Sequence, residues 1–223
     1  IGKEAAKALL SLGWRVIGLG RNAERCQKAQ AELRQSATTP EQVTMLCGDL
    51  ALLADTRRVA SEIAALTDRV DALLNNAGGL TRDLAITAEG NENTFASNHL
   101  GHFLLTELLL PLLKRTAATQ PAGAVRIVNV SSAAHMACDG IDWNDLQMIN
   151  NFSSTPAYCR AKLANLLFTR ELAKRLAGDN IVAHAMHPGL VASNFSSHGD
   201  DAMQTYMAAK SDVALSPAAA ADT

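Results

Sequence analysis

Apolar residues along the chain fall into two alternating kinds of run. Short, nearly unbroken apolar runs occur at residues 14–19, 42–46, 70–74, 125–130 and 181–186. Between them lie longer stretches, at residues 2–12, 23–34, 52–66, 90–113 and 161–176, that read as helices. In the first of these Ala5, Ala8, Leu9 and Leu12 recur at helical spacing on one face. Runs without polar alternation are what strands buried on both faces look like, and the longer periodic stretches are helices with one apolar face. Gly13 stops the first helix, and Gly178 is the expected C-cap of the last. Pro111 is expected to fray or kink the end of the 90–113 helix. Residues 138–156 and 191–217 show no clear period, and residues 216–223, with Pro217, read as a helix start cut short.

Strand and helix alternate throughout, which predicts an α/β chain: a doubly wound parallel sheet of Rossmann type with helices on both faces. Without an internal repeat or linker, residues 1–223 read as one dinucleotide-binding catalytic domain. In such a sheet the residues just after strands share one edge, where ligands bind. Arg21, Asp49, Asn76, Ser132 and Pro188 all stand there, and Asn98 and Tyr158 lie near helix starts on the same edge. Dinucleotide folds place a strand and a glycine-rich turn before the first helix. Here the chain opens at Ile1-Gly2, so the first strand and most of that turn are absent and the domain reads as truncated at both ends. The expected consequence is a gap in the sheet with unpaired backbone groups.

Composition narrows the class. The 223 residues are 48% hydrophobic and 19% charged, with a net charge of -2, which gives no electrostatic case for nucleic acid or an anionic membrane. The longest apolar run, residues 104–113, is too short to span a bilayer and is interrupted by Glu107. The four cysteines are scattered without a C-x-x-C pair, which fits a reduced, cytoplasmic chain. His99 and His102 lack further ligands, so no metal is expected.

The chemistry centres on Tyr158 and Lys162. Four apart on a helix, they project from one face, and an ammonium beside a phenol is expected to lower the Tyr pKa toward the useful range. Taken singly, Asn75 and Asn76 read as turn formers, Asp49 as a helix cap and Ser132 as a strand-end turn residue. A second signal is Gly20-Arg21 at the end of the second expected strand, where a dinucleotide fold meets the adenosine ribose. Folds that prefer NAD place an acidic residue near there. Here Arg21 offers a forked, charge-assisted partner for a 2′-phosphate, Asn22 adds a donor, and no carboxylate precedes Glu24. NADP(H) is therefore expected over NAD(H).

Asp49-Leu50, Asn75-Asn76-Ala77-Gly78, Asn98, Val128-Asn129-Val130-Ser131-Ser132, Tyr158-x-x-x-Lys162 and Pro188-Gly189 occur in the order in which the short-chain dehydrogenases/reductases carry such pieces. The chain resembles that family over nearly its whole length. Residues 157–165 and 168–172, and the spacing from Ser132 to Tyr158, are most similar to its retinol-dehydrogenase-like branch. The resemblance implies that Tyr158 exchanges a proton with the substrate oxygen, Lys162 lowers the Tyr158 pKa and holds the nicotinamide ribose, and Ser132, rather than Ser131, bonds the substrate oxygen. It implies that Asn98 fixes a water in a proton relay. Cofactor contacts are implied for Gly2, Asp49, Leu50, Asn76, Ala77 and Gly78, and after the last strand for Pro188, Gly189, Val191 and Ser193.

The expectation is an NADP(H)-dependent oxidoreductase interconverting an alcohol and a carbonyl, with an apolar small-molecule substrate. Residues 138–156 and 191–209, with Phe152, Phe195, Met203, Tyr206 and Met207, would shape its pocket. A homodimer or homotetramer is expected through residues 103–113 and 163–176. The alternative is a non-catalytic, nucleotide-binding regulatory member of the same fold. An epimerase or dehydratase on a nucleotide sugar would need a longer substrate domain.

Overall fold

The computed structural model describes residues 1–222. Its main elements run α1 (Gly2–Ser11), β1 (Val16–Gly20), α2 (Ala23–Arg34), β2 (Val43–Cys47), α3 (Leu53–Leu66), β3 (Ala72–Asn75), α4 (Asn93–Phe95), α5 (Gly101–Ala117), β4 (Val125–Val130), α6 (Ser154–Arg175), β5 (Ile181–Met186) and α7 (Asp201–Ala209). A π-helical turn, Ala96–Leu100, joins α4 to α5. Every strand pair is parallel, as the alternation requires, because a parallel neighbour can be reached only by a crossover. β1 pairs with β2 from Val16↔Val43 to Gly20↔Cys47, and β4 lies between β3 and β5.

Two separate sheets result, β1-β2 and β3-β4-β5. Among the described residues no ladder joins β1 to β3, so each leaves one edge unpaired, which is the expected gap. Side chains hold the halves together. Val59, Leu105, Leu109, Ile127 and Leu172 form the main buried cluster, and Ile17 and Leu19 of β1 pack against it. Each such side chain, fully buried, contributes about 1.5–3 kcal/mol. A smaller cluster of Ala6, Leu10, Leu33 and Val43 seals α1 and α2 over β2.

The structure departs from the sequence expectations in several places. Pro111 neither frays nor ends its helix, which continues to Ala117. Pro111 and Glu107 both lie on the exposed face, so the carbonyl left without a partner can turn to water. The last long helix begins at Ser154, not at residue 161, with Pro156 in its first turn, where no N–H is needed. Tyr158 therefore stands in the second turn. Gly178 is not the C-cap: the helix closes at Leu176, and Asn180 takes the left-handed conformation (φ 55°) before β5. Residues 201–209, which show no clear period in the sequence, form α7, capped by the Asp200 side chain accepting from Met203 N at 2.8 Å. Near the end lies a single 3-10 turn, Ala219–Ala221, whose first N–H donates to Ser216 Oγ at 3.1 Å; Thr223 lies outside the described residues. No helix among these residues is long and apolar enough to cross a membrane, and no cluster of three metal-ligating side chains occurs among them.

Candidate active site

α6 carries Tyr158 and Lys162 inward, 8% and 3% exposed. Lys162 Nζ donates to Val130 O at 2.9 Å, at the end of β4, and lies 5.4 Å from the centroid of the Tyr158 ring. Ser131 Oγ donates to Lys162 O at 2.9 Å and so clamps α6 to the strand end. That leaves the next hydroxyl, Ser132, beside the Tyr158 phenol, its Oγ accepting from Ala134 N at 3.2 Å. From the other side, Asn98 sits in the π-helical turn. Its Nδ2 donates to Gly79 O and Thr94 O, both at 2.7 Å, and its Oδ1 accepts from Gly79 N at 3.2 Å. Gly78 presses against Asn98 Oδ1, and a Cβ there would stand 3.5 Å from Lys162 Nζ. Only glycine fits this approach. Four sequence-distant segments thus meet around Gly78, bringing Asn98, Ser132, Tyr158 and Lys162 together.

The electrostatics reverse one expectation. Burial pushes Tyr158 up to about 12; the Ser132 hydroxyl pulls it down and Cys159 adds to the rise. Burial alone pushes Lys162 down to about 8. Lys162 does not lower the Tyr158 pKa here, because its ammonium is turned to the Val130 carbonyl and both groups have lost water. Desolvation outweighs attraction at this distance. Phe195 packs on the Tyr158 ring, with centroids 4.9 Å apart. His102, wholly buried one turn beyond Asn98, is pushed down to about 3 by burial and then by Lys162. Neither of its ring nitrogens has a hydrogen-bond partner among the described residues.

A buried polar ladder supports this cluster; sequence reasoning read Asn75 as a turn former and gave Thr106, Asn129, Asn165 and Thr169 no role in the site. Asn75 Nδ2 donates to Thr106 Oγ1 at 2.9 Å and to Asn129 Oδ1 at 2.8 Å; Asn129 Nδ2 donates to Thr169 Oγ1 at 2.9 Å. Thr169 Oγ1 donates to Asn165 O at 2.7 Å, and Asn165 Nδ2 donates to Asn98 O at 2.9 Å. His99 Nδ1 and Asn165 Oδ1 share a further bond at 2.9 Å. Asn165 could have been found, because it lies two turns past Tyr158 on the same helix face. Glu92 could not. It is wholly buried, with its pKa raised by burial, and caps α4 by accepting from Thr94 N and Phe95 N at 2.7 Å. Glutamate is not a favoured cap residue.

The residues expected at the adenosine end lie apart from this cluster, at the ends of β1 and β2. Arg21 is exposed. Asn22 caps α2, its Oδ1 accepting from Arg25 N at 2.9 Å. Asp49 does not cap α3. Its Oδ1 accepts from Ala51 N at 2.9 Å, and the first N–H groups of α3 donate instead to Glu89, thirty-odd residues away. Leu50 is buried, its carbonyl in contact with Gly101. Beyond β5, Pro188 leads to Gly189 in the left-handed region (φ 79°), Val191 bridges Leu215, and Ser193 Oγ accepts from Phe195 N at 3.4 Å. Ser193, Gln204, Met207 and Ala214 line a cleft of about 310 Å³. That cleft includes part of the expected pocket segment, but not Tyr158.

These residues fit a dinucleotide. α1 opens with no side-chain cap, leaving N–H groups at its positive end free for an anion. A Cβ at Gly2 would lie 2.6 Å from Asn76 Nδ2, so Gly2 lets the start of α1 approach Asn76 more closely than any side chain would allow. Ala77 and Gly78 continue that wall toward Lys162.

A model of the short chain dehydrogenase family matches residues 1–204. Retinol dehydrogenase 13 of Homo sapiens is 40% identical over 199 residues, covering 89% of this chain and 58% of that protein. Retinol dehydrogenase 12 of Homo sapiens is 43% identical over 198 residues, covering 89% and 60%. The chain thus spans about three-fifths of the length of these curated relatives. Among solved structures, the Pseudomonas aeruginosa RhlG/NADP active-site complex superposes with a TM-score of 0.72 at 28% identity, over 94% of this chain and 76% of that one. A protein from Mycobacterium Paratuberculosis superposes at 0.70 with 35% identity, over 93% and 71%.

Proposed function

The chain belongs to the short-chain dehydrogenase family, and on that footing we propose that it interconverts an alcohol and a carbonyl using NADP(H). The convergence of Asn98, Ser132, Tyr158 and Lys162 around Gly78 carries this reading. A bound nicotinamide dinucleotide supplies the hydride chemistry. Gly2, Asn76, Ala77 and Gly78 hold its phosphates and adenosine ribose, Asp49 and Leu50 its adenine, and Arg21 its 2′-phosphate. Lys162, Pro188, Gly189, Val191 and Ser193 hold the nicotinamide end.

Ser132 Oγ donates to the substrate oxygen, and Tyr158 Oη exchanges a proton with it. A phenol near 12 holds that proton firmly, so Lys162 must turn from the Val130 carbonyl toward Tyr158 for proton exchange at neutral pH. Asn98 positions the water that returns the proton. Its own polar atoms are fixed by Gly79, Thr94 and Asn165, so it orients that water without moving. The names of the relatives favour an enzyme over the non-catalytic alternative. The substrate is an apolar alcohol or carbonyl, admitted where Phe195 packs on Tyr158.

The full-length protein is tested by following reduced-nicotinamide absorbance with a panel of apolar aldehydes and ketones. Turnover with NADPH supports the reading; no turnover with any member overturns it. The same reading places the protein in the cytoplasm as a homodimer or homotetramer. The exposed Phe103, Leu108 and Leu167 on α5 and α6 support self-association, and light scattering that shows only monomer at micromolar concentration refutes it.

A further inference from the structure

Two thiols meet beneath the proposed 2′-phosphate site. Cys26, in the first turns of α2, is buried, and Cys47, the last residue of β2, is exposed. Cys26 Sγ packs over Gly20 so closely that a Cβ there would lie 2.8 Å away. Gly20 is the register partner of Cys47 across the β1-β2 ladder. Cys26 Sγ also donates to Leu46 O at 3.6 Å, the carbonyl adjoining Cys47, so Cys26 reaches the end of β2 at the residue next to Cys47. Cys138 and Cys159 belong to the other half of the molecule. We propose that Cys26 and Cys47 form an oxidisable dithiol that closes to a disulfide across the end of β1.

The oxidant is a peroxide. The exposed Cys47 thiolate attacks one peroxide oxygen; the O–O bond breaks, leaving a sulfenic acid and one water. Cys26 Sγ then attacks the Cys47 sulfur. The S–S bond forms, the S–O bond breaks, and the hydroxide leaves with the Cys26 proton as a second water. Two thiols lose two electrons and two protons, and hydrogen peroxide is reduced to two waters. Burial first, and the Cys47 thiol second, raise the Cys26 pKa, which makes Cys26 the slower, resolving partner.

Closure ties the start of α2 to the end of β2 and draws Arg21 and the Asn22 cap with it. On the functional reading above, NADP(H) binding then weakens. The test treats the full chain with hydrogen peroxide and maps disulfides without reduction. The expected result is one Cys26–Cys47 linkage, an intact mass lower by two hydrogens, and reversal by dithiothreitol. Absence of that linkage, or its appearance only in urea-unfolded protein, overturns the proposal. The NADP(H) dissociation constant is expected to rise about tenfold on oxidation, the worth of one charge-assisted bond, and not in Cys26→Ser or Cys47→Ser. A mapped linkage with unchanged affinity overturns the coupling to Arg21. If the reduced protein binds no NADP(H), the functional reading fails, and the mapped linkage alone still decides whether the dithiol exists.

Discussion

Lys162 and Asn98, in the half built on β3, β4 and β5, are 3% and 0% exposed, whereas Arg21 and Cys47, at the ends of β1 and β2, face solvent. Asn75, Asn129, Thr169, Asn165 and Asn98 of the first half are bonded into a ladder, beside a buried His102 whose ring nitrogens have no partner among the described residues. In the second half Asn22 and Asp49 are bonded to backbone N–H groups, and Arg21 is left exposed. On the proposed function, the difference follows two tasks. Proton exchange needs groups whose pKa values are set by burial and fixed geometry. Recognition of a charged phosphate needs a cation that can be reached and costs little to expose. With no ladder between β1 and β3 among the described residues, the two halves are joined through side-chain packing and through the close contact of Gly2 with Asn76.

Breaking the buried half gives the largest effect. Lys162→Met is expected to lower turnover by about 10²–10⁴-fold, the usual worth of a positioned acid–base group. The same variant changes the pH dependence of stability. The Lys162 pKa is lowered on folding, so its contribution is full above the unfolded value of 10.5 and is lost as pH falls through about 8. Wild type therefore gains about 3 kcal/mol between pH 8 and pH 10.5 from this group. Urea unfolding across that range should show this gain in wild type and not in Lys162→Met; equal slopes contradict the assignment.

Breaking the exposed half has a smaller and different effect. Arg21→Ala is expected to weaken NADP(H) binding by about ten- to a hundredfold while leaving NAD(H) nearly unchanged, as loss of one charge-assisted contact predicts. Calorimetric titration of both cofactors measures this directly, and equal affinities in wild type contradict it.

The smallest effect sharpens the comparison from within the buried half. Asn165→Ala leaves Asn98 O and His99 Nδ1 without their side-chain partner and is expected to cost about 1–3 kcal/mol of stability. Its turnover should fall less than that of Lys162→Met, because Asn165 positions Asn98 and touches no reacting atom. A loss of turnover as large as that of Lys162→Met would place Asn165 in the chemistry itself.

Much of this layout is legible in the residues. β4, β5 and α2 fall where their apolar runs end, because Gly, Asn and Ser punctuate them. The convergence of Ser132, Asn98 and Tyr158 follows from strand order alone. What could not be read depends on distances across the fold. The spacing of Tyr158 and Lys162 puts them on one face, but does not show how deeply both are buried or that the ammonium turns toward the Val130 carbonyl, and burial first of all reverses the expected pKa shift. Glu92 and Glu89 cap helices in ways no local rule anticipates. Cys26 and Cys47 are unremarkable in sequence and meet only because the β1-α2-β2 crossover folds one over the other. Pro111 does not fray its helix, because the carbonyl left without a partner lies on the exposed face and can turn to water.

The separation of the two halves is tested most directly by measuring turnover and NADP(H) affinity together in Tyr158→Phe and Arg21→Ala of the full-length protein. The account predicts a crossover. Tyr158→Phe loses turnover and keeps its NADP(H) dissociation constant within about twofold, since the ring remains and only the proton is lost. Arg21→Ala loses affinity and recovers turnover at saturating NADPH. Near-normal turnover in Tyr158→Phe, or loss of both properties together in either variant, would contradict it.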